Sequence, residues 1–243
     1  MKFQFNSGNS YIISQKQIPQ SRNTRFLVRY QSLYIYITKE SLWDQSCYDG
    51  TMIHYMDCFW LVLPTDYFQQ AVLWRDFYQC FGAYYEDLID DNCNIECIRM
   101  LVSHINIQIG PNQSKKILDF GCGSGLSTKV TAQGSIVGYE PVEEMRKQAR
   151  QRGLEMLTRE EIKNMPDPVF DAVFSSYVFH MAVLDEDIEM VLGRMKKGAV
   201  WVANFYKDIN LEHINAVFRR YGCKLRRLEI QEERYGAVYE YQK

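Results

Sequence analysis

Hydrophobic and polar positions change their period along the chain. Residues 25–37, Arg-Phe-Leu-Val-Arg-Tyr-Gln-Ser-Leu-Tyr-Ile-Tyr-Ile, crowd β-branched and aromatic side chains together and predict one or two strands. Asp49-Gly50 is a turn signal joining further short extended pieces. From Thr65 the apolar spacing shifts to three and four. Thr65 or Asp66 can cap a helix running through Phe68, Val72, Phe77 and Cys80 to Gly82. Residues 83–89 and 94–107 also fit helices, the second with Ile95, Ile98, Leu101, Val102 and Ile105 on one face. Gly110-Pro111 then breaks the chain. The expected division is a β-rich extension over 1–64, a helical cap over 65–115 and a core over 116–243.

Within that core, strand and helix signals alternate. Strands are expected over 116–120, 135–139, 154–157, 170–178 and 199–206, with helices over 126–132, 142–152, 185–195 and 211–221. A final pair, 223–231 and 237–241, turns at Tyr235-Gly236 and reads as antiparallel. Alternation of this kind predicts an α/β fold whose mostly parallel, doubly wound sheet is covered on both faces.

Charge adds a second division. Residues 1–115 hold 20 of the 34 aromatics, Trp43, Trp60 and Trp74 among them, but only 9 basic and 11 acidic residues. Residues 116–243 carry 19 of each sign. The net charge of −2 lacks the basic excess of a protein built to grip phosphate backbones. Beside Arg219, Arg220, Lys224, Arg226 and Arg227, the alternating Glu229, Glu232 and Glu233 make the cluster read as a solvated surface, so no nucleic-acid partner is expected. No apolar run approaches the ~20 residues of a membrane span, and the first residues lack a signal-peptide core, so a cytoplasmic protein without a membrane partner is expected. Seven cysteines are an odd number. Cys93 and Cys97, one helical turn apart with His104 further on, lack the second tight pair of a zinc site; free thiols and no metal are the expectation.

The segment Ile117-Leu118-Asp119-Phe120-Gly121-Cys122-Gly123-Ser124-Gly125 carries the chemistry. A strand runs into three alternate glycines, where a ligand can lie against the main chain, and a helix is expected next. Free N–H groups at that helix start would favour a ligand carboxylate. Asp119 discriminates between ligands, because it repels a pyrophosphate and holds an ammonium. Glu140 ends the next strand, about twenty residues on, where a carboxylate accepts hydrogen bonds from ribose hydroxyls. The ligand therefore needs an amine-and-carboxylate end and a free ribose, and S-adenosylmethionine has both.

These residues, together with Phe170-Asp171-Ala172-Val173-Phe174-Ser175-Ser176, resemble the class I S-adenosylmethionine-dependent methyltransferases, in particular their small-molecule branch. The resemblance covers 116–243 and implies a Rossmann-like fold ending in an antiparallel strand. It implies S-adenosylmethionine as cofactor, with S-adenosylhomocysteine as product. Asp119, Gly121, Cys122, Gly123 and Gly125 would surround the methionine part. Glu140 would bind the ribose, Pro141 and Met145 would flank the adenine, and Ser175 would touch the amino group through its main chain. The acid that commonly holds the adenine amine falls in Arg159-Glu160-Glu161-Ile162-Lys163, an altered pattern in which Glu160 or Glu161 could substitute. Tyr84 and Tyr85 resemble tyrosines that close over the methionine carboxylate.

The expected activity is methyl transfer to an O or N nucleophile of a small molecule, aromatic or amine-bearing. His180 is the candidate general base, and Tyr177 a second candidate at the same sheet edge. Two alternatives stand beside it: an inactive methyltransferase-like protein used in binding or assembly, and methylation of a tRNA or protein. The aromatic first region could cover a substrate or form a homodimer interface.

Overall fold

The computed structural model describes residues 6, 9–18, 24–38, 51–56, 58–87, 89–110, 114–230 and 233–243. Trp43, the Asp49-Gly50 turn, Pro111 and Glu232 lie outside them. The fold divides into two compact units, Met1–Ile89 and Asp90–Lys243.

In the first unit, β1 (Ser10–Ser14), β2 (Thr24–Tyr30), β3 (Leu33–Thr38), β4 (Thr51–Tyr55) and β5 (Phe59–Leu63) form a sheet in the order β2-β3-β1-β5-β4. Residues 25–37 become two strands because the chain turns at Gln31, whose φ is 49°. β1 runs antiparallel to β3 and parallel to β5. Helix α1 (Tyr67–Phe81) follows, with the Asp66 carboxylate accepting the Gln69 N–H at 2.8 Å as its N-cap. Phe77 and Phe81 of α1 meet the Phe59 ring edge-on at 4.9 and 4.7 Å, which fixes the helix on the sheet. Ser32, beside the β2–β3 turn, donates to the buried Asp76 of α1 at 2.5 Å. The helix expected over 83–89 is a 3₁₀ turn, Gly82–Asp87.

The second unit opens with α2 (Asp91–Ile109), capped by the Asp90 carboxylate. Then come β6 (Lys116–Phe120), β7 (Ser135–Tyr139), α3 (Glu143–Gln151), β8 (Glu155–Leu157), α4 (Arg159–Lys163) and β9 (Phe170–Ser175). The chain ends with α5 (Asp185–Arg194), β10 (Met195–Phe205), α6 (Leu211–Arg220), β11 (Lys224–Leu228) and β12 (Ala237–Gln242). The seven strands lie in the order β11-β12-β10-β9-β6-β7-β8. Those from β8 to β10 pair parallel, and β12 is antiparallel to both its neighbours. Alternating apolar positions of β6 and β10 build the core, where the Phe120 and Trp201 rings meet at 5.0 Å and Trp201 meets Phe218 of α6 at 4.9 Å.

Three elements depart from the expected pattern. The helix expected over 126–132 is one 3₁₀ turn, Leu126–Lys129, and Val130 is already extended. Thr128, Val130 and Thr131 are β-branched and favour extended backbone over helix. α2 packs against this turn and against β9 and β10, so the sheet face is covered from before β6 instead. Strand β9 stops at Ser175, short of 178, because Tyr177 turns into the left-handed region at φ 55°. Helix α4 was not expected at all. It is held by a capping box, with the Thr158 hydroxyl accepting the Glu161 N–H and the Glu161 carboxylate accepting the Thr158 N–H.

Candidate cofactor site

The sheet reverses its winding at β6, which has β7 on one side and β9 on the other. Ligands of open α/β sheets bind beyond the carboxyl ends of the strands at such a reversal. The glycine turn leaves β6 there, Glu140 follows β7, Ser176 and Tyr177 follow β9, and Tyr206 follows β10. Adjacent strands lie ~4.8 Å apart, so these groups line one edge in the order Glu140, glycine turn, Tyr177, Tyr206.

Glycine is required in the turn. At Gly125, φ is 84° and a Cβ would lie 2.8 Å from the Ala149 Cα on α3. At Gly121, φ is 71° and a Cβ would meet Val178 Cγ2 at 2.6 Å. The turn is also tied internally. Gly121 and Cys122 both donate their N–H to the Tyr139 carbonyl, at 2.8 and 3.1 Å, and Gly125 donates to the Cys122 carbonyl at 2.9 Å. The helix that follows is a single turn, and these three donors are taken up within the glycine turn itself. The Ser124 hydroxyl, buried beside them, has no hydrogen-bond partner among the described residues.

Asp119 and Glu140 are 2% and 7% exposed, and neither carboxylate has a cationic side chain bonded to it among the described residues. One Glu140 oxygen accepts the Val142 N–H at 2.9 Å and the other the Gly123 N–H at 3.1 Å. Arg146 reaches the Glu140 main-chain carbonyl instead, at 2.7 Å. Burial pushes Asp119 up to about 7, the Ser127 hydroxyl pulling it back and the Glu140 charge adding to the rise. Burial likewise pushes Glu140 up to about 7 against the pull of the Val142 and Gly123 N–H groups. Two acids shut from water on neighbouring strand ends are costly without a polar ligand to share them.

The other expected residues fall in various places. Met145 and Cys122 are buried, and Pro141 is exposed after β7. Burial holds the Cys122 thiol well above its ordinary range, so it is a wall and not a nucleophile. Ser175 is fully buried and its hydroxyl accepts the Trp201 indole N–H at 2.9 Å, which leaves only its main chain to face a ligand. Glu161 is taken up in the α4 cap, and Glu160 beside it is exposed. Sequence reasoning missed the acid at this corner. Asp187 of α5 is buried, accepts the Tyr139 hydroxyl at 2.8 Å and sits 3.3 Å from the Arg159 guanidinium. Tyr84 and Tyr85 lie in the 3₁₀ turn of the first unit, where the Tyr85 ring packs edge-on to Tyr78. Cys93 faces the Tyr177 hydroxyl, Sγ to O 3.5 Å, and His104 pairs with Glu240 at 2.7 Å.

At the β9–β10 end, Tyr177, His180 and Tyr206 stand together. Asn204 of β10, fully buried, accepts the Tyr177 N–H at 2.7 Å and donates to the Tyr235 carbonyl at 2.9 Å. That role was also missed, although an Asn within the apolar run Ala199–Phe205 was the signal. Burial, with the Lys207 charge adding, brings His180 down to about 4, so its imidazole is neutral at physiological pH.

The glycine turn, the flanking acids and the order of seven strands define a Rossmann-like methyltransferase fold. Residues 118–197, about a third of the chain, match the methyltransferase domain family model. The fold of the second unit is that of the class I S-adenosylmethionine-dependent methyltransferases. Among solved structures, the chain is similar to magnesium protoporphyrin IX methyltransferase of Synechocystis PCC 6803 with its S-adenosylmethionine bound. The TM-score is 0.51 at 13% identity, over 74% of this chain and 98% of that one. It is also similar to a putative S-adenosyl-L-methionine-dependent methyltransferase of Methanococcus maripaludis, at TM-score 0.51 and 15% identity over 67% and 92% of the two chains. An amino pentose methyltransferase of Micromonospora echinaspora matches at TM-score 0.50 and 14% identity over 66% and 94%. No curated protein sequence matches the chain. Among the described residues, no helix is long and apolar enough to cross a membrane, and no three His, Cys, Asp or Glu side chains gather as metal ligands.

Proposed function

We propose that the chain binds S-adenosylmethionine at the edge formed by β6 and β7 and transfers its methyl group to an O or N nucleophile of a small molecule. The pair of buried carboxylates, Asp119 and Glu140, carries this reading. A scaffold that had lost its ligand would gain stability by losing both acids; keeping them out of water is explained by a ligand that shares them. Asp119 would hold the ammonium of the methionine part, and Glu140, whose carboxylate accepts the Gly123 N–H, would hold the ribose hydroxyls. Gly121 and Gly125 keep the main chain flat beneath that ligand.

When bound, the cofactor would supply a methyl group on a positively charged sulfur, open to attack by an acceptor lone pair. The residues of this chain supply position more than proton transfer. In-line approach can itself be worth ~7–11 kcal/mol of barrier, so a tuned base is not required. Tyr177 and His180 are the side chains we place beside the acceptor. Two of these solved methyltransferases are named for small molecules, a magnesium protoporphyrin and an amino pentose, which supports this reading. The free thiols of six described cysteines agree with a reducing, cytoplasmic compartment.

Release of S-adenosylhomocysteine from labelled cofactor, measured with pools of phenols, carboxylic acids and amines and in parallel with tRNA and with protein, tests the proposal. Turnover should depend on the small-molecule pools and fall by at least a hundredfold in Asp119→Ala. Turnover with only tRNA or protein would overturn the small-molecule assignment.

A further inference from the structure

Tyr139, the last residue of β7, joins the two parts of the sheet edge that face the cofactor in our reading. Its main-chain carbonyl accepts the N–H groups of Gly121 and Cys122, at 2.8 and 3.1 Å. Its peptide bond leads directly into Glu140, whose carboxylate accepts the Gly123 N–H at 3.1 Å. One residue therefore ties down the glycine turn after β6 and carries the acid after β7. Whatever sets the position of Tyr139 sets the spacing of these two features.

That position is set through the Tyr139 side chain. Phe120 and Tyr139 are paired in register across β6 and β7, and their rings stack at 5.6 Å. The Tyr139 ring is buried, and its hydroxyl donates to Asp187 Oδ1 at 2.8 Å. Asp187 is itself buried in the first turn of α5, with the Arg159 Nε 3.3 Å from the same oxygen. Arg159 opens α4 and also donates to Glu186 at 2.6 Å. At the other end of α5, Arg194 donates to the main-chain carbonyls of Ile162 and Lys163. α4 and α5 are thus joined at both ends, and the joined pair grips the Tyr139 hydroxyl.

Packing alone does not call for this arrangement. The surroundings are apolar, with Phe120, Phe179 and Trp201 in mutual ring contact. A buried ion pair in such a place is often no more stable than apolar residues of like volume. What it adds is direction, because a hydrogen bond has one geometry whereas apolar contact tolerates sliding. Binding groups keep their geometry when the residues behind them are locked in this way. We propose that Tyr139 is a positioning residue of the cofactor site, held by Asp187, which Arg159 steadies in turn. The Tyr139–Asp187 bond fixes the last peptide of β7, so that Glu140 stands at a constant distance from the glycine turn to receive both ribose hydroxyls. Tyr139, Asp187 and Arg159 act through Glu140 and not on the ligand. The assignment rests on the cofactor reading and deepens its ribose end.

The test is titration calorimetry on the full chain with S-adenosylhomocysteine and its 2′,3′-dideoxy analogue. The wild type should prefer the ribose ligand. Tyr139→Phe keeps the ring and removes only the hydroxyl, and it should shrink that preference at least fivefold while the analogue binds as before. Asp187→Ala breaks the same bond from the other side and should do the same, which keeps the test in force if Tyr139→Phe does not fold. Asp187→Asn retains an acceptor oxygen for the phenol and should retain the preference. A merely structural role would weaken both ligands together and leave their ratio unchanged. If S-adenosylhomocysteine binds but the ratio survives Tyr139→Phe or Asp187→Ala, or falls as far in Asp187→Asn as in Asp187→Ala, the positioning role is overturned and the cofactor reading stands. If S-adenosylhomocysteine fails to bind the wild type, both are overturned.

Discussion

Asp119 and Glu140 keep protons in the free protein at pH values where carboxylates in water have lost theirs, and this gives them two opposite pH signatures. Their folded pKa values, raised to about 7 from 3.8 and 4.5, mean that the folded state binds more protons than the unfolded state between pH 4 and 7. Folding stability supplied by these groups is therefore greatest at low pH and is lost as pH rises through 7. The melting temperature of the free protein should fall between pH 5 and pH 8, and Asp119→Asn should flatten that fall. Cofactor binding runs the other way, because an ammonium and ribose hydroxyls favour ionised acids. Affinity measured by calorimetry should weaken about tenfold per pH unit below 7 for each acid that must ionise. Other single residues carry packing costs. Gly125→Ala drives a Cβ to 2.8 Å from the Ala149 Cα at a left-handed φ, and should lower stability by about 2 kcal/mol or more in chemical denaturation. Asn204→Ala leaves the Tyr177 N–H and the Tyr235 carbonyl unpaired and should cost ~1–3 kcal/mol for each group left buried.

Elements were legible where period and packing agree. β6 and β7 occupy 116–120 and 135–139 as their apolar runs predict, since buried parallel strands read as unbroken apolar segments. α1 begins at Asp66's cap and ends at Gly82 because capping residues carry a local signal. The helix after the glycine turn was misread because Leu126–Ala132 is apolar enough for a helix, while its Thr and Val residues prefer extended backbone. Only long-range packing by α2, from before the core, shows what covers that face. α4 escaped detection for the opposite reason. Five residues give too short a period, and its stability comes from the Thr158–Glu161 box. Thr158→Ala should therefore cost about 1 kcal/mol and, by hydrogen exchange, fray α4 and little else. The site followed the same division. Asp119, the glycines and Glu140 were readable from spacing, whereas Asp187 and Asn204 act through contacts between residues far apart in the chain.

At the scale of the whole molecule, the uneven chemistry of the sequence corresponds to two units with different cores. The charge-poor, aromatic half becomes a five-stranded sheet and α1 held by edge-to-face rings, Phe59, Phe77 and Phe81 at its centre. Aromatic rings give a small sheet much buried area per residue, which accounts for their abundance there. The charge-balanced half becomes the seven-stranded sheet of a methyltransferase-like fold, whose apolar core is shielded by paired surface charges such as Arg220 with Asp185 and Glu189. The central claim is that this domain binds S-adenosylmethionine through Asp119 and Glu140. A thermal-shift titration of the full chain with S-adenosylhomocysteine, wild type beside Asp119→Ala and Glu140→Ala, tests it most directly. At a hundredfold excess over Kd the wild type should gain ~2.7 kcal/mol of stability, and each variant should lose that gain. No shift in the wild type at millimolar ligand, or an undiminished shift in both variants, would contradict it.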